Sequence, residues 1–432
     1  VFNSPKDAFK NGIATVYQEL LVFPELTVAE NIFLGHTPKR HGFLIDWKKI
    51  KSDARKILDN LDSHDLDVDA RVGSLSVANR QRVEIAKALS QKTKVLIMDE
   101  PTAALADTDV RRLITVVKRL KEHGVSILYV SHKMPEIFEI ADKVSVLRDG
   151  NHVGTFDILD VTEDLLVSKM VGRSVDKLYP SSKGSHGTPI LEVSDLSDGV
   201  RFSNASFILH RGEILGIAGV VGSGRSELAQ TIFGINSSKS GSIKVDGRKV
   251  LIKKPRDARN LGIAYIPEDR GTQGLVKEMK ISQNISMANL DREARGILIL
   301  SQQEILNAMN AIKKIGIRAR SAVQVVRQLS GGNQQKVVVA KWLQTEPRIL
   351  VMDEPTRGID VGAKAEIHAL MRDLADQGMA ILMISSELPE VLGMSDRVLV
   401  MNAGQIKAEF SKDQATPENV GAIMTEKVEE VA

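Results

Sequence analysis

The stretch VLIMDEPTAAL at residues 95–105 recurs as ILVMDEPTRGI at residues 349–359, with a spacing of 254 positions. Nearer the start, SPKDAFKNGIA at residues 4–14 matches KPRDARNLGIA at residues 254–264 with a spacing of 250 positions. Such a period is too long for a solenoid repeat. The sequence therefore predicts two tandem domains of one fold.

The composition is that of an ordinary globular protein. Hydrophobic residues make up 43% of the 432 residues, and 58 lysines and arginines nearly balance 55 aspartates and glutamates. This balance gives no indication of a nucleic-acid partner. The chain has no cysteine, which excludes disulfides, thiolate metal sites and cysteine nucleophiles. No apolar run reaches the length of about 18 residues that spans a bilayer, so we expect any work at a membrane to be done from outside the lipid.

Both copies alternate short β-branched runs with amphipathic stretches of helix length. This alternation predicts an α/β fold in each copy, with a mostly parallel sheet flanked by helices. The predicted strands are residues 95–98, 126–130, 349–352 and 380–384, and the predicted helices include residues 109–123 and 362–377.

The predicted domain boundaries follow from composition. Residues 177–189 (KLYPSSKGSHGTP) are rich in proline, serine and glycine, which indicates a short linker. We therefore expect a first domain over residues 1–176 and a second over residues 190–415. Residues 416–432 carry few large apolar side chains and are expected to form a C-terminal tail.

A glycine-rich loop follows a strand-like run in the second copy. GEILGIAGV at residues 212–220 leads into GVVGSGRS at residues 219–226 and then into a helical pattern. The loop matches the phosphate-binding pattern G-x-x-x-x-G-K-[ST] except that arginine stands at the lysine position, and its serine is the expected magnesium ligand. A tight strand-to-helix turn that binds nothing is the alternative at this point. The expected phosphate contacts are Gly219, Gly222, Ser223, Gly224, Arg225 and Ser226.

Two acidic residues end a predicted strand of the second copy. Asp353 is expected beside a magnesium ion, and Glu354 beside a γ-phosphate, where it can polarise water. LSGGNQQK at residues 329–336 begins 24 residues upstream of Asp353. Its Ser-Gly-Gly is expected at the start of a helix, where main-chain N–H groups not covered by side chains can bind an anion. The alternative is an acidic pair at a solvated strand end, but it does not explain why Pro-Thr follows the pair in both copies.

These motifs resemble those of a known family. LSGGNQQ, MDEPT and VSHKMPE resemble the signature, Walker B and switch motifs of ABC ATPases, the ATP-binding cassette proteins. More narrowly, the tandem arrangement resembles the fused ATP-binding subunits of bacterial ribose, xylose, arabinose and galactose importers. The stretches that carry this resemblance are ELTVAENIFLG at 25–35, MVGR at 170–173, IPEDR at 266–270, DEPTRGIDVGAK at 353–364 and SSELPEVLGMSDR at 385–397.

The resemblance implies two P-loop nucleotide-binding domains, each with a parallel sheet and a helical subdomain, that bind ATP and magnesium. It also implies that each nucleotide lies between the Walker motifs of one copy and the signature of the other. Glu100 would then be the general base, His132 would contact the γ-phosphate, and Gln18 would sense magnesium and the permease. The residues expected at this first site are Gln18, Asp99, Glu100, His132, Ser330, Gly331, Gly332 and Asn333.

The other implied site combines the second copy's phosphate loop with LSVANRQ at residues 75–81, whose signature serine is Ser76. It departs from the family pattern at four places, although Glu354 is retained. We therefore expect a binding or regulatory site here rather than the main hydrolytic one. The departures are Arg225 for lysine, Glu268 at the position of Gln18, Ser386 at the position of His132, and Val77-Ala78 for Gly-Gly.

The repeat spacing would put the first copy's phosphate loop upstream of Val1. The sequence therefore predicts an N-terminally truncated family member that binds nucleotide weakly through its second copy and hydrolyses it poorly. The aromatic Phe202 is a possible adenine contact, although a core position is the stronger expectation for it.

The implied partners are an integral-membrane sugar permease and, indirectly, a periplasmic or lipid-anchored sugar-binding protein, with the chain at the cytoplasmic face of the bacterial inner membrane. No nucleic acid is expected. Two alternatives stay open: a soluble tandem ABC protein resembling a translation factor, and a non-functional remnant of an importer subunit. The sequence does not name the sugar. Six residues are candidate permease contacts, and the equal alternative for each is that it packs its own helical subdomain: Phe23, Pro24 and Leu26 in the first copy and Leu275, Val276 and Met279 in the second.

Overall fold

The chain divides into two compact units, Val1–Leu166 and Val167–Ala432. The computed structural model describes residues 2, 4–18, 20–40, 43–91, 93–102, 105, 107–131, 133–148, 150–172, 178–182, 186–292, 294–295 and 298–426. No helix within these ranges is long and apolar enough to cross a membrane. The domain boundaries at residues 176 and 189 stay predictions.

The first unit contains a small parallel sheet and a helical part. Its strands are β1 (Ile13–Val16), β2 (Lys39–Arg40), β3 (Leu44–Ile45), β4 (Val95–Asp99), β5 (Ser126–Val130), β6 (Lys143–Arg148) and β7 (Asn151–Asp157). Its helices are α1 (Pro5–Lys10), α2 (Val28–Ile32), α3 (Trp47–Asn60), α4 (Val77–Leu89), α5 (Asp107–Glu122) and α6 (Met134–Ile140), and α7 (Glu163–Val171) crosses into the second unit.

The second unit repeats this order and adds an antiparallel sheet. Its strands are β8 (Pro189–Ser197), β9 (Ala205–His210), β10 (Ile214–Ala218), β11 (Ser240–Val245), β12 (Arg248–Val250), β13 (Ile263–Ile266), β14 (Ala294–Arg295), β15 (Leu298–Ile299), β16 (Ile349–Asp353), β17 (Ala380–Ile384), β18 (Arg397–Asn402) and β19 (Gln405–Ser411). Its helices are α8 (Arg225–Phe233), α9 (Pro255–Asn260), α10 (Ile281–Ser286), α11 (Ser301–Ile315), α12 (Gly331–Leu343), α13 (Val361–Asp376), α14 (Leu388–Met394) and α15 (Pro417–Thr425).

The main sheet of the second unit has the strand order β13-β16-β17-β10-β18-β19 and is parallel except for β19. Every residue of β10, β16 and β17 is buried. Such continuously apolar strands are typical of a parallel sheet covered on both faces. The strand β10 lies between β17 and β18, so the loop that follows it leaves from the middle of the sheet's carboxyl edge, where α/β proteins bind ligands.

The first unit uses the same pairing in its sheet β1-β4-β5. Ile13 pairs with Val95 and Val95 with Ser126, and the equivalent strands β13, β16 and β17 pair in the same register. Among its described residues no strand pairs with the outer edge of β5, where Leu128 is 57% exposed. The shared register confirms the predicted α/β fold with a mostly parallel sheet.

The predicted C-terminal tail and the predicted linker both contain residues that pack on the second unit. Residues 417–425 of the predicted tail form the helix α15, which the side chain of Thr416 caps and which buries Val420. Part of the predicted linker also contacts the second unit: a ring nitrogen of His368 lies 3.0 Å from the Leu178 carbonyl oxygen, and the Tyr179 ring packs 5.2 Å from the His368 ring. The helix is short, and its apolar residues Val420, Ile423 and Met424 cover little more than one turn.

Candidate functional site

The loop at residues 219–226 joins β10 to α8 in a conformation that requires glycine. Gly222 and Gly224 have φ values of 85° and 95°, in the left-handed region that side chains disfavour. A Cβ on Gly219 would lie 2.5 Å from the carbonyl oxygen of Met401. Side chains are therefore disfavoured at these three positions of the predicted phosphate loop, and glycine leaves its main chain uncovered there.

Ser223 lies inside this loop and is 2% exposed. Its main-chain N–H donates to the Val220 carbonyl at 3.1 Å, and its own carbonyl accepts from Gly404 at 3.1 Å. Its hydroxyl is buried and has no hydrogen-bond partner. An orphaned buried hydroxyl is costly, so its presence indicates that a ligand completes the loop.

The first turn of α8 meets the end of β16. The Ser226 hydroxyl donates to Asp353 Oδ1 at 3.1 Å, and the Tyr265 hydroxyl donates to Asp353 Oδ2 at 3.0 Å. Burial raises the pKa of the Asp353 carboxyl, and the same effect raises the pKa of Tyr265. Tyr265 was not predicted; its only signal was an aromatic residue in the strand before Glu268.

Arg225 and Glu354 form a buried pair beside the loop. The guanidinium lies 3.6 Å from Glu354 Oε1 and donates to the Ser385 carbonyl, and both side chains are at most 11% exposed. The Ser386 hydroxyl donates to Glu354 Oε2 at 3.1 Å. Burial lowers the pKa of Arg225 and raises the pKa of Glu354. The arginine that replaces the phosphate-loop lysine is thus already engaged by a carboxylate.

Both strand-end glutamates share a backbone conformation that sequence reasoning missed. Glu100 has a φ of 42° and Glu354 a φ of 48°. Each main-chain N–H donates to the last residue of the neighbouring strand, Val130 at 2.9 Å and Ile384 at 2.8 Å. A non-glycine residue in this region costs about 1–3 kcal/mol and concentrates at functional sites.

Glu268 follows β13 at the position equivalent to Gln18. Its carboxylate forms an ion pair with Arg357. The neighbouring Arg270 donates to the carbonyls of Arg357 and Gly358 at 2.6 and 2.9 Å, which ties this loop to the segment after β16.

The signature residues of the second unit begin α12. Ser330 is the N-cap, and Asn333 donates to its hydroxyl at 2.9 Å. A Cβ on Gly331 would lie 2.9 Å from the Arg270 guanidinium, and one on Gly332 would collide with the side chain of Ala363. Gly332 is therefore needed for close packing within this unit, whereas the flexible Arg270 side chain could move away from a side chain at position 331.

The first unit brings together only part of its predicted site. The Gln18 amide donates to Glu100 Oε2 at 3.0 Å, and Asp99 lies at the end of β4, half-buried. Ser76 caps α4 and accepts from the Asn79 N–H at 3.3 Å. His132 lies outside the described residues.

The candidate metal ligands are few. No cluster of three or more histidine, cysteine, aspartate or glutamate side chains in the described ranges is arranged to hold a metal ion. Ser226 and Asp353 present a hydroxyl and a carboxylate, the hard oxygen donors that Mg²⁺ takes alongside substrate phosphates. The buried Phe202, which is 2% exposed, belongs to the core and is not an adenine contact within this unit. The glycine-rich loop is followed by a serine in the first turn of a helix, and that serine contacts a buried aspartate at a strand end. These features define a P-loop nucleotide-binding domain.

Comparison with known proteins identifies the family within this class of nucleotide-binding domains. The sequence profile of the ABC transporter family matches residues 3–103 and 202–357. The ribose import ATP-binding protein RbsA of Roseobacter denitrificans is 46% identical over 97% of this chain and 82% of its own length. RbsA 1 of Rubrobacter xylanophilus is 46% identical over 98% of this chain and 84% of its own length. A nucleotide-free ATP-binding cassette from an ABC transporter superposes with a TM-score of 0.48 at 23% identity, covering 55% of this chain and 96% of that one. The chain belongs to the ABC transporter family.

Proposed function

We propose that this chain is the ATP-binding subunit of a monosaccharide importer and couples ATP hydrolysis to transport. The observation that carries the proposal is the 3.1 Å contact between the Ser226 hydroxyl and the Asp353 carboxylate at the phosphate loop. The relatives named as ribose import proteins support a sugar as the cargo. They favour an importer over a soluble protein resembling a translation factor.

The loop at residues 219–226 would hold the ATP phosphates against its main-chain N–H groups at the start of α8. The unpartnered hydroxyl of Ser223 can donate to a phosphate oxygen. Ser226 and Asp353 would hold magnesium, which when bound neutralises charge on the phosphates. The protein's own contribution is to orient these oxygens before the nucleotide arrives.

The strand-end glutamate of the second copy is engaged by two side chains. Glu354 is paired with Arg225 and hydrogen-bonded by Ser386, so it is less available to accept a proton from water. Glu100 accepts a hydrogen bond from the neutral amide of Gln18. We infer that the first copy supplies the general base and that the second copy's loop serves binding or regulation.

Several assignments rest on the family resemblance. Asp99 as a magnesium ligand and His132 as a γ-phosphate contact stay predictions. So does the completion of each nucleotide site by the other copy's signature, through Ser330–Asn333 in one case and Ser76 in the other.

The proposal includes a permease, a sugar-binding protein on the far side of the membrane, and a place at the cytoplasmic face of the bacterial inner membrane. Four of the predicted permease contacts are exposed: Pro24, Phe23 at 52%, and Val276 and Met279 at 40% each. Leu275 is 7% exposed and packs in the core of its unit, so the prediction for that residue is wrong.

The test uses the chain together with its permease in proteoliposomes and measures ATP turnover and uptake of labelled ribose or another pentose. Glu100→Gln is expected to lower turnover by about 100-fold or more, since general-base catalysis contributes about that much. Glu354→Gln is the matched control and should lose far less. Equal losses in the two variants would contradict the assignment of roles, and ATP-independent uptake would contradict the proposed function.

A further inference from the structure

Two side chains on α4 hold the main chain of the loop that carries Gln18. Glu84 Oε2 accepts the N–H of Leu21 at 3.1 Å, and Lys87 Nζ donates to the carbonyl of Leu21 at 3.1 Å. Glu84 and Lys87 are three residues apart and so share one face of the helix. Both main-chain groups of Leu21 are thereby bonded to one helix, close to the residue that contacts Glu100.

The main-chain N–H of Tyr17 also approaches the Glu84 carboxylate and partly offsets the rise in its pKa. Tyr17 and Leu21 lie on either side of Gln18, so the carboxylate that holds Leu21 lies beside the residue that bonds to the strand-end glutamate. Glu84 is only 4% exposed, and burial raises its pKa. A buried carboxylate is costly where an apolar side chain would fill the space, and its hydrogen bond from the Leu21 N–H explains why glutamate occurs at this position.

The second unit supplies an internal comparison. At the position of Glu84 it has Val338, and at the glutamine position it has Glu268. The lysine contact is kept, because Lys341 Nζ donates to the Gly274 carbonyl. A Cβ on Gly274 would lie 3.0 Å from the Val338 side chain, so this loop packs on the helix by apolar contact. The carboxylate that holds the loop thus occurs in the copy that keeps the glutamine.

We propose that Glu84 and Lys87 are positioning residues for Gln18. They fasten the loop to the helix that begins directly after Ser76, so that the Gln18 amide stays within reach of Glu100. A shift of that helix would move the loop with it, and through Gln18 would change the hydrogen bonding of the carboxylate. Only this catalytic consequence rests on the proposed function.

The first experiment is hydrogen exchange of the full chain, followed by mass spectrometry. Glu84→Val, which introduces the second unit's residue, should speed exchange in residues 13–26 about tenfold, since a buried hydrogen bond to a charged group is lost. Glu84→Gln keeps one acceptor oxygen and should restore part of the protection. Residues 263–279 should not change. Lys341→Met is the matched control, and it should speed exchange in residues 263–279 while leaving residues 13–26 as in the wild type.

Two results would overturn the proposal: unchanged exchange in residues 13–26, or an equal acceleration across the whole first unit, which would make Glu84 a general stabilising residue. If Glu84→Val does not fold, Lys87→Met decides by the same criteria, because Lys87 is only half-buried. These readouts need no ATPase activity.

The second experiment tests the link to catalysis through a double-mutant cycle on permease-stimulated ATP turnover. Glu84→Val should add little to the loss caused by Gln18→Ala, because both act through the same contact. Fully additive losses would contradict the link. Absence of turnover in the wild-type chain would contradict the proposed function, and the exchange result would still decide the positioning role.

Discussion

Replacing Arg225 by methionine should destabilise the second unit in a pH-dependent way. The substitution removes the only cation placed within 4 Å of Glu354 among the ion pairs of the described residues, and it leaves a carboxylate that is 11% exposed. Removing one partner of a buried pair costs about 3–5 kcal/mol. The separation of 3.6 Å places this pair at the lower end, and about 3 kcal/mol lowers the unfolding midpoint of a domain of this size by roughly 6–12 °C.

The pH dependence follows from the direction of the pKa shift. Burial already raises the pKa of Glu354 above its ordinary value of 4.5, and losing Arg225 raises it further, with the same direction expected for Asp353. Below pH 4.5 the carboxyl is protonated in the folded and unfolded states, so the penalty is absent; it grows as pH rises through the folded-state pKa. Differential scanning calorimetry should therefore show a small loss at pH 4.5 and a larger loss at pH 8. A second substitution, Glu354→Gln, should remove most of the pH dependence. Equal losses at both pH values would refute the reasoning.

Three further predictions concern stability. Arg372→Met breaks an ion pair with Asp396 that is at most 4% exposed, and it should lower the free energy of unfolding by about 3–5 kcal/mol in chemical denaturation. Lys121→Met breaks the exposed pair with Asp142, the equivalent aspartate of the first unit, and should cost less than about 1 kcal/mol. Gly224→Ala should cost at least about 1–3 kcal/mol, since it combines a φ of 95° with a Cβ 2.9 Å from a carbonyl oxygen; a melting point equal to the wild type would contradict it. Burial lowers the pKa of Lys341 to about 8, so this lysine should make the protein more stable as pH rises from 8 to 10.5, and Lys341→Met should abolish that gain in pH-dependent melting curves.

Much of the fold could be predicted because its signals are local. The strands β4, β5, β16 and β17 were read from apolar β-branched runs, and their shared register follows from the repeat. Contact between Ser226 and Asp353 followed from the chemistry of the phosphate-loop pattern. The helix α15 was missed although Val420, Ile423 and Met424 have helical spacing, because that pattern extends over only one turn next to a segment rich in charged residues.

The rest of the site depends on contacts between residues far apart in sequence. Nothing local shows that Arg357 neutralises Glu268, or that Tyr265 donates to Asp353. The left-handed conformation of Glu354 is equally invisible, because glutamate has no preference for it and the neighbouring strand imposes it through a main-chain hydrogen bond. The sequence pattern is enough to identify the motif. The ion pairs and hydrogen bonds of its side chains can be derived only from the folded structure.

Isothermal titration of the full chain with MgATP tests most directly whether residues 219–226 hold a nucleotide. Ser226→Ala removes the hydroxyl that contacts Asp353 and should weaken binding by about tenfold or more, in keeping with the loss of a hydrogen bond to a charged group. Ser237→Ala, at an exposed serine after the same helix, should bind as the wild type does. Equal affinities for MgATP in the wild type and in Ser226→Ala would contradict the account.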